Sequence, residues 1–234
     1  PSVPAYATGS YDKELSTKEA EQKANVFNTT SSQIQNMTID GQYGNTVEFW
    51  YKYPTRPLAD QGGFAFTHFS YFDLWNEQTI GSVTPGSEYG RFLIETKQNN
   101  SNEFQESCLF NITYMSGTSG VASAKLGSLN GAALSNVATD YGVTLSDWNH
   151  YAFSVVNNPT GSDHLLVRLY INGNLVETVH TGSQIGEVKE GPFNANLGAY
   201  RTGPNATAVA AGVNSNGYGS ISGSFDEFRY WTKV

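Results

Sequence analysis

Cysteine is almost absent from this chain. Cys108 is the only one, which excludes an intramolecular disulfide and any zinc site built from several thiolates. It sits in the apolar run Ser107-Cys108-Leu109-Phe110 and reads as a small core residue, compatible with assembly in a reducing compartment. Charge is scarce as well. Only 15% of residues are charged, and 13 Lys and Arg stand against 21 Asp and Glu, for a net charge of -8. Phosphate binding needs clustered Lys and Arg, and no basic run exists, so nucleic acid is excluded as the main partner. No segment approaches the roughly 18 consecutive apolar residues of a membrane helix, and residues 1 to 15 lack the basic and apolar regions of a signal peptide. No membrane insertion is expected.

What the chain has instead is glycine and aromatic rings: 24 Gly, 14 Tyr and 13 Phe in 234 residues. That composition suits twisted sheets joined by Gly-containing turns. One helical signal stands out, the capping box Ser16-Thr17-Lys18-Glu19 opening Glu19 to Ala24, so residues 1 to 24 are expected to form an arm and a short helix. From residue 25 to residue 234 the period is two. In Val47-Glu48-Phe49-Trp50-Tyr51-Lys52-Tyr53, the odd positions share one face and Glu48, Trp50 and Lys52 take the other, as in a half-buried strand.

Further strands are expected at Gly63 to Tyr71, Arg91 to Lys97, Phe104 to Met115, Trp148 to Val156, Leu165 to Ile171, Asn174 to Val179, Asn194 to Tyr200 and Ser220 to Trp231. Between Ile171 and Asn174 lies Asn172-Gly173. This pair supplies the positive φ angles of a type I′ turn, and it predicts a tight hairpin. Ser116 to Ser146 and Thr202 to Gly219 are poor in large apolar residues and read as long loops or weak edge hairpins. Many period-two strands without crossover helices require antiparallel pairing, and two such sheets bury their aromatic faces against each other. The fold expected is an all-β, two-sheet antiparallel jelly-roll sandwich with a short N-terminal helix.

Three ordered segments carry a family likeness: Val47-Glu48-Phe49-Trp50-Tyr51-Lys52, then Trp148-Asn149-His150-Tyr151-Ala152-Phe153 with the Leu169 to Val176 hairpin, then Leu197-Gly198-Ala199 with Phe225-Asp226-Glu227-Phe228-Arg229-Tyr230-Trp231. Together they resemble the laminin-G-like and pentraxin-like branch of the concanavalin A-like lectin and glucanase superfamily. The last segment also resembles laminin-G-like domains in structural proteins of tailed bacteriophages. The resemblance implies a non-catalytic module on a virion or other extracellular surface, acting in assembly or host attachment. Its partners would be other virion or surface proteins and cell-surface glycans. A calcium-assisted lectin or carbohydrate-binding domain of a larger secreted protein is the second reading, and a polysaccharide-cleaving enzyme the third.

No catalytic residue is expected. Glycosidases of this fold present carboxylates on one strand in an E-x-D-x-x-E pattern. Here Asp226 and Glu227 are adjacent, so they are expected on opposite faces, with one of them pairing with Arg229 or capping the strand. His68, His150, His164 and His180 are scattered and match no metalloprotease spacing. Binding chemistry is most concentrated in Phe69 to Glu77, where rings and oxygen-bearing side chains interleave. Tyr71, Asp73, Trp75 and Asn76 are the candidate glycan-binding residues, stacking sugar faces and holding hydroxyls. Asp73, Asn76 and Glu77 are candidate oxygen ligands for calcium, the one cofactor that this stretch suits. The bland alternative, that Tyr71, Phe72 and Trp75 fill a core or an interface, stays open.

Overall fold

A computed structural model describes residues 37–53, 68–76, 89–98, 103–104, 107–133, 135–188, 193–200, 221 and 223–234. Ten strands and one short helix occur among them: β1 (Asn45–Lys52), β2 (His68–Trp75), β3 (Gly90–Lys97), β4 (Cys108–Ser116), β5 (Ser119–Ser128), α1 (Asn136–Tyr141), β6 (Asn149–Asn157), β7 (Leu165–Ile171), β8 (Asn174–Thr181), β9 (Asn194–Leu197) and β10 (Ser224–Trp231). They form two five-stranded sheets, ordered β10-β1-β6-β7-β8 and β5-β4-β3-β2-β9. Every pairing between strands is antiparallel. This is the all-β, two-sheet antiparallel sandwich that the period-two pattern requires.

The core lies between the sheets and is mainly aromatic. Val47, Phe49 and Tyr51 are fully buried on one face of β1, and Phe49 stacks on Tyr71 of the opposite sheet with centroids 5.8 Å apart and planes 12° from parallel. Phe110 of the second sheet meets Phe153 of the first edge to face at 4.9 Å. Some polar groups trapped in this layer are paired: the Tyr114 hydroxyl donates to Asn45 Oδ1 at 2.5 Å, and Asn45 Nδ2 donates to the Thr38 carbonyl at 2.8 Å, whereas the Tyr151 hydroxyl has no partner. Buried ring area of this kind contributes the largest favourable term, about 25 cal/mol per Å² removed from water.

Turn chemistry sets the register of β7 and β8. Asn172 has φ 50° and Gly173 φ 80°, the two left-handed positions that a type I′ turn demands. Asn172 also ties the turn to β6, because its Oδ1 accepts from the His150 N–H at 2.9 Å.

Three expectations are modified. β2 runs to Trp75 instead of ending at Tyr71, because a register shift between Ser70 and Phe72 inserts Tyr71 as an extra residue and puts Tyr71 and Phe72 both in the core. Of the two readings of residues 116 to 146, long loops or weak edge hairpins, the edge hairpin is the one formed, with a helix as the unexpected addition. The first part of the segment is β5, an edge strand that needs only Val121, Ala124 and Leu126 inward, and α1 follows it. At β10 a shift opposite Glu48 and Trp50 makes Glu227 a left-handed residue with φ 48°. Asp226 and Glu227 therefore both face solvent instead of opposite sides, and Glu227 pairs with Arg229 at 3.0 Å. The expected N-terminal arm and helix, and the Thr202 to Gly219 segment, lie outside the described residues.

Candidate functional site

The outer face of the second sheet is built by the members of its strands that do not enter the core. Phe92, Ile94, Ile112 and Tyr114 are fully buried on the inner side. The pleat therefore turns Asp73 and Trp75 of β2, Arg91, Leu93, Glu95 and Lys97 of β3, and Asn111 and Thr113 of β4 to the other side. Ser123 and Lys125 of β5 and Asn196 of β9 join them. Charged and amide groups are concentrated on this face, yet Asp73, Arg91, Glu95, Asn111 and Asn196 are buried. A buried charge survives only with partners, and each carries some.

Two ion-paired centres result. Arg91 and Asp73 form a bidentate pair, with Nε to Oδ1 at 2.8 Å and Nη2 to Oδ2 at 2.7 Å. Burial works against the Arg91 charge, but Asp73 and Tyr89 outweigh it and hold the guanidinium above its usual range. The second centre is Glu95. Its Oε2 lies 3.1 Å from His68 Nδ1 and accepts the Tyr200 hydroxyl, while Oε1 lies 3.5 Å from Lys97 Nζ. Burial pushes the Glu95 carboxyl up, yet His68, Tyr200 and Lys97 together overcome it and keep the group below the ordinary carboxylate range. Burial and the Glu95 charge raise the Tyr200 phenol well above its normal value, so it remains a proton donor.

This geometry fixes what His68 can do. An imidazole nitrogen facing an ionised carboxylate carries the proton, so Nδ1 is the donor and Nε2 is left as a base. The side chain is 24% exposed, whereas Glu95 beneath it is 6% exposed. A carboxylate holding an imidazole by its far nitrogen is the arrangement that orients a general base. Lys97 continues the array outward: Nζ donates to Ser123 Oγ at 3.2 Å, and Ser123 Oγ donates to Asn111 Oδ1 at 3.0 Å. Two polar atoms of β2, Ser70 Oγ and Trp75 Nε1, are buried without a hydrogen-bond partner. Each leaves bonding capacity unused at a cost of about 1–3 kcal/mol.

The residues singled out from sequence fall in different places. Tyr71 is in the core and bonds Tyr53 by its hydroxyl. Asp73 is on the outer face with both oxygens on Arg91, and Trp75, half-buried, lies beside it. Asn76 is buried at the end of β2, where its Oδ1 accepts from the Gly90 N–H at 2.9 Å. Glu77 lies outside the described residues. Among the described residues, no group of three or more His, Cys, Asp or Glu is placed to hold a metal. His68, Glu95 and Tyr200 were not singled out, because separations of 27 and 105 residues divide them from one another. The visible signal was the alternation Arg91-x-Leu93-x-Glu95-x-Lys97, unusual for a strand buried on both faces.

No protein-family model and no curated protein matches the sequence. Solved structures do. An alginate lyase, Aly36B, is similar with 13% identity and a TM-score of 0.37 over 83% of this chain and 70% of its own. An endo-β-1,4-glucuronan lyase from the fungus Trichoderma reesei gives 11% and 0.36 over 82% of this chain and 71% of its own. A β-glucanase of Bacillus licheniformis gives 17% and 0.32 over 83% of this chain and 64% of its own. At these identities and scores the likeness is one of fold and transfers neither substrate nor mechanism.

The comparisons correct the expectation of a non-catalytic virion module, with no catalytic residue and with virion or surface proteins and cell-surface glycans as partners. The similar structures named are polysaccharide lyases, a β-glucanase and a glycosidic hydrolase, with no virion protein or lectin among them. The physical reason for the error is that histidines scattered in sequence say nothing of proximity. Folding brings His68 onto a buried carboxylate.

Proposed function

We propose that the outer face of the second sheet is the active cleft of a polysaccharide-cleaving enzyme, acting outside the cell by proton abstraction from an acidic polymer. The observation that carries this reading is the convergence of His68 Nδ1 and the Tyr200 hydroxyl on one oxygen of Glu95. Tyr200 and Lys97 hold the carboxylate, the carboxylate holds the imidazole, and His68 Nε2 takes a proton from the carbon next to a uronate carboxyl. Lys97, 14% exposed, draws charge from that carboxyl as the carbanion develops. The leaving glycosidic oxygen departs as the double bond forms, and the protonated imidazole returns the proton to it.

Elimination suits the residues better than hydrolysis. Hydrolysis in this fold needs two carboxyl groups free to act, one as general acid and the other as nucleophile or as base on water, and the two on this face are committed, Asp73 to Arg91 and Glu95 to its three partners. Charge favours an acidic substrate: among the described residues of the face, Arg91, Lys97 and Lys125 stand against Asp73 and Glu95, in a chain whose net charge is -8. Trp75 supplies a ring at one end on which a sugar stacks.

The test is incubation with alginate, polyglucuronate and a neutral β-glucan, following the ultraviolet absorbance of the unsaturated uronate. Absorbance from an acidic polymer, lost by about a hundredfold or more in His68→Asn, supports the reading. Reducing ends without the chromophore would replace elimination with hydrolysis, and no cleavage of any polymer would remove the reading.

A further inference from the structure

We infer that the outer face of the first sheet is a separate polysaccharide-holding surface, which takes an extended sugar chain lying diagonally across β6, β1 and β10. The chain has four tryptophans, and three of them, Trp50, Trp148 and Trp231, are on this face. Val47, Phe49, Tyr51, Tyr151 and Phe153 point inward, so Trp50 and His150 point outward, opposite each other with rings 5.4 Å apart. Trp148 immediately precedes β6 and is 44% exposed, and extending the alternation past the inward Asn149 assigns it to the same side; Trp231 is 50% exposed.

Their placement is linear. Tyr51 pairs with Asn149 and Thr46 with Trp231, so Trp148 stands beside the C-terminal end of β1 and Trp231 beside its N-terminal end, on opposite flanks. Strand rise and spacing put Trp148 about 8 Å from Trp50, and Trp231 about 14 Å beyond it. A line of about 22 Å, from the strand rise and spacing, is the length of a short oligosaccharide. Hydrogen-bonding groups fill the intervals. Glu48 Oε1 accepts from Arg229 Nη1 and from Trp231 Nε1, both at 3.2 Å, and Glu48 Oε2 lies 3.5 Å from His150 Nε2.

The occupant follows from the chemistry of the surface. Trp231 is pinned by its N–H to Glu48, so one indole face is presented at little entropic cost on binding. Exposed rings at intervals, separated by carboxylate, guanidinium and imidazole, match a ligand whose apolar C–H faces recur between hydroxyl groups. The core of a protein–protein interface is depleted of charged residues, and here charges separate the rings. This surface lies across the sandwich from His68, so it is a second holding site, separate from the proposed cleft.

The experiment uses the full chain carrying His68→Asn, so that retention is read without cleavage. Affinity electrophoresis through gels containing alginate, xylan or mixed-linkage β-glucan should show the protein retarded in at least one. Trp148→Ala with Trp231→Ala should weaken that retention at least about tenfold, and Trp148→Tyr with Trp231→Tyr should keep most of it. Both tryptophans are exposed, so the melting midpoint should hold. Retention unchanged in the double alanine variant, or no retardation of the parent in any gel, overturns the inference. So does a double variant that changes oligomeric state by sedimentation without altering retention. Turnover by the His68 parent is a separate measurement, and its failure leaves this one standing or falling alone.

Discussion

The two outer faces of the sandwich are made by the same pleat and carry similar residues, yet they treat charge in opposite ways. On the second sheet, Arg91 and Asp73 are 3% and 0% exposed and joined by two hydrogen bonds. On the first sheet, Arg229 and Glu227 are 49% and 54% exposed. A pair in water gains little from its contact, while a buried pair leaves an uncompensated charge when one member is removed. Burial thus turns the same chemistry from a solvated ornament into a fixed electrostatic framework. On the second sheet that framework places Glu95 against His68 at 3.1 Å, while on the first Glu48 lies 3.5 Å from His150. The exposed face, by contrast, offers rings and polar groups to a ligand without needing them for folding.

The comparison is broken most severely by Asp73→Ala, which strands Arg91 among buried groups. It should cost about 3–5 kcal/mol in urea unfolding, and a loss below about 1 kcal/mol would mean that water reaches the pair. Gly173→Val comes next. A Cβ at Gly173 meets nothing within 4 Å, so the cost arises from φ alone, about 1–3 kcal/mol. An unchanged unfolding midpoint would count against the type I′ turn.

A pH series sharpens the contrast. Glu95 keeps its charge to lower pH when folded than when unfolded, so its stabilisation is complete above its ordinary value of 4.5 and is lost as pH falls through the lower folded value. The melting temperature of Glu95→Gln should therefore fall less on acidification than that of the parent. Equal acid limbs would mean that the carboxylate is not held. The smallest effect is expected from Arg229→Gln on the exposed face, whose melting midpoint should match the parent within error.

Legibility in the sequence followed the range of the interaction. The β1 alternation and the Asn172-Gly173 turn depend on neighbours a few residues away, and both were plain. The end of β2 was misplaced because a bulge at Tyr71 breaks the period of two, and nothing local announces a bulge. The same cause hid the shared exposure of Asp226 and Glu227, set by the bulge opposite Glu48. At the site, Arg91, Glu95 and Lys97 were visible as charges on alternate positions of one strand. What they meet was not: His68 comes from β2 and Tyr200 from beyond β9, and strand order is a long-range property.

The central claim is that Glu95 orients His68 as the proton-transferring group, and it is tested most directly by chemical rescue. Turnover of alginate and polyglucuronate is measured for His68→Gly with and without added imidazole, following the unsaturated product. The account predicts that free imidazole restores part of the lost rate in His68→Gly, and that it does so far less when Glu95→Gln is added. A His68→Gly variant as active as the parent would contradict the account, and so would a rescue indifferent to Glu95.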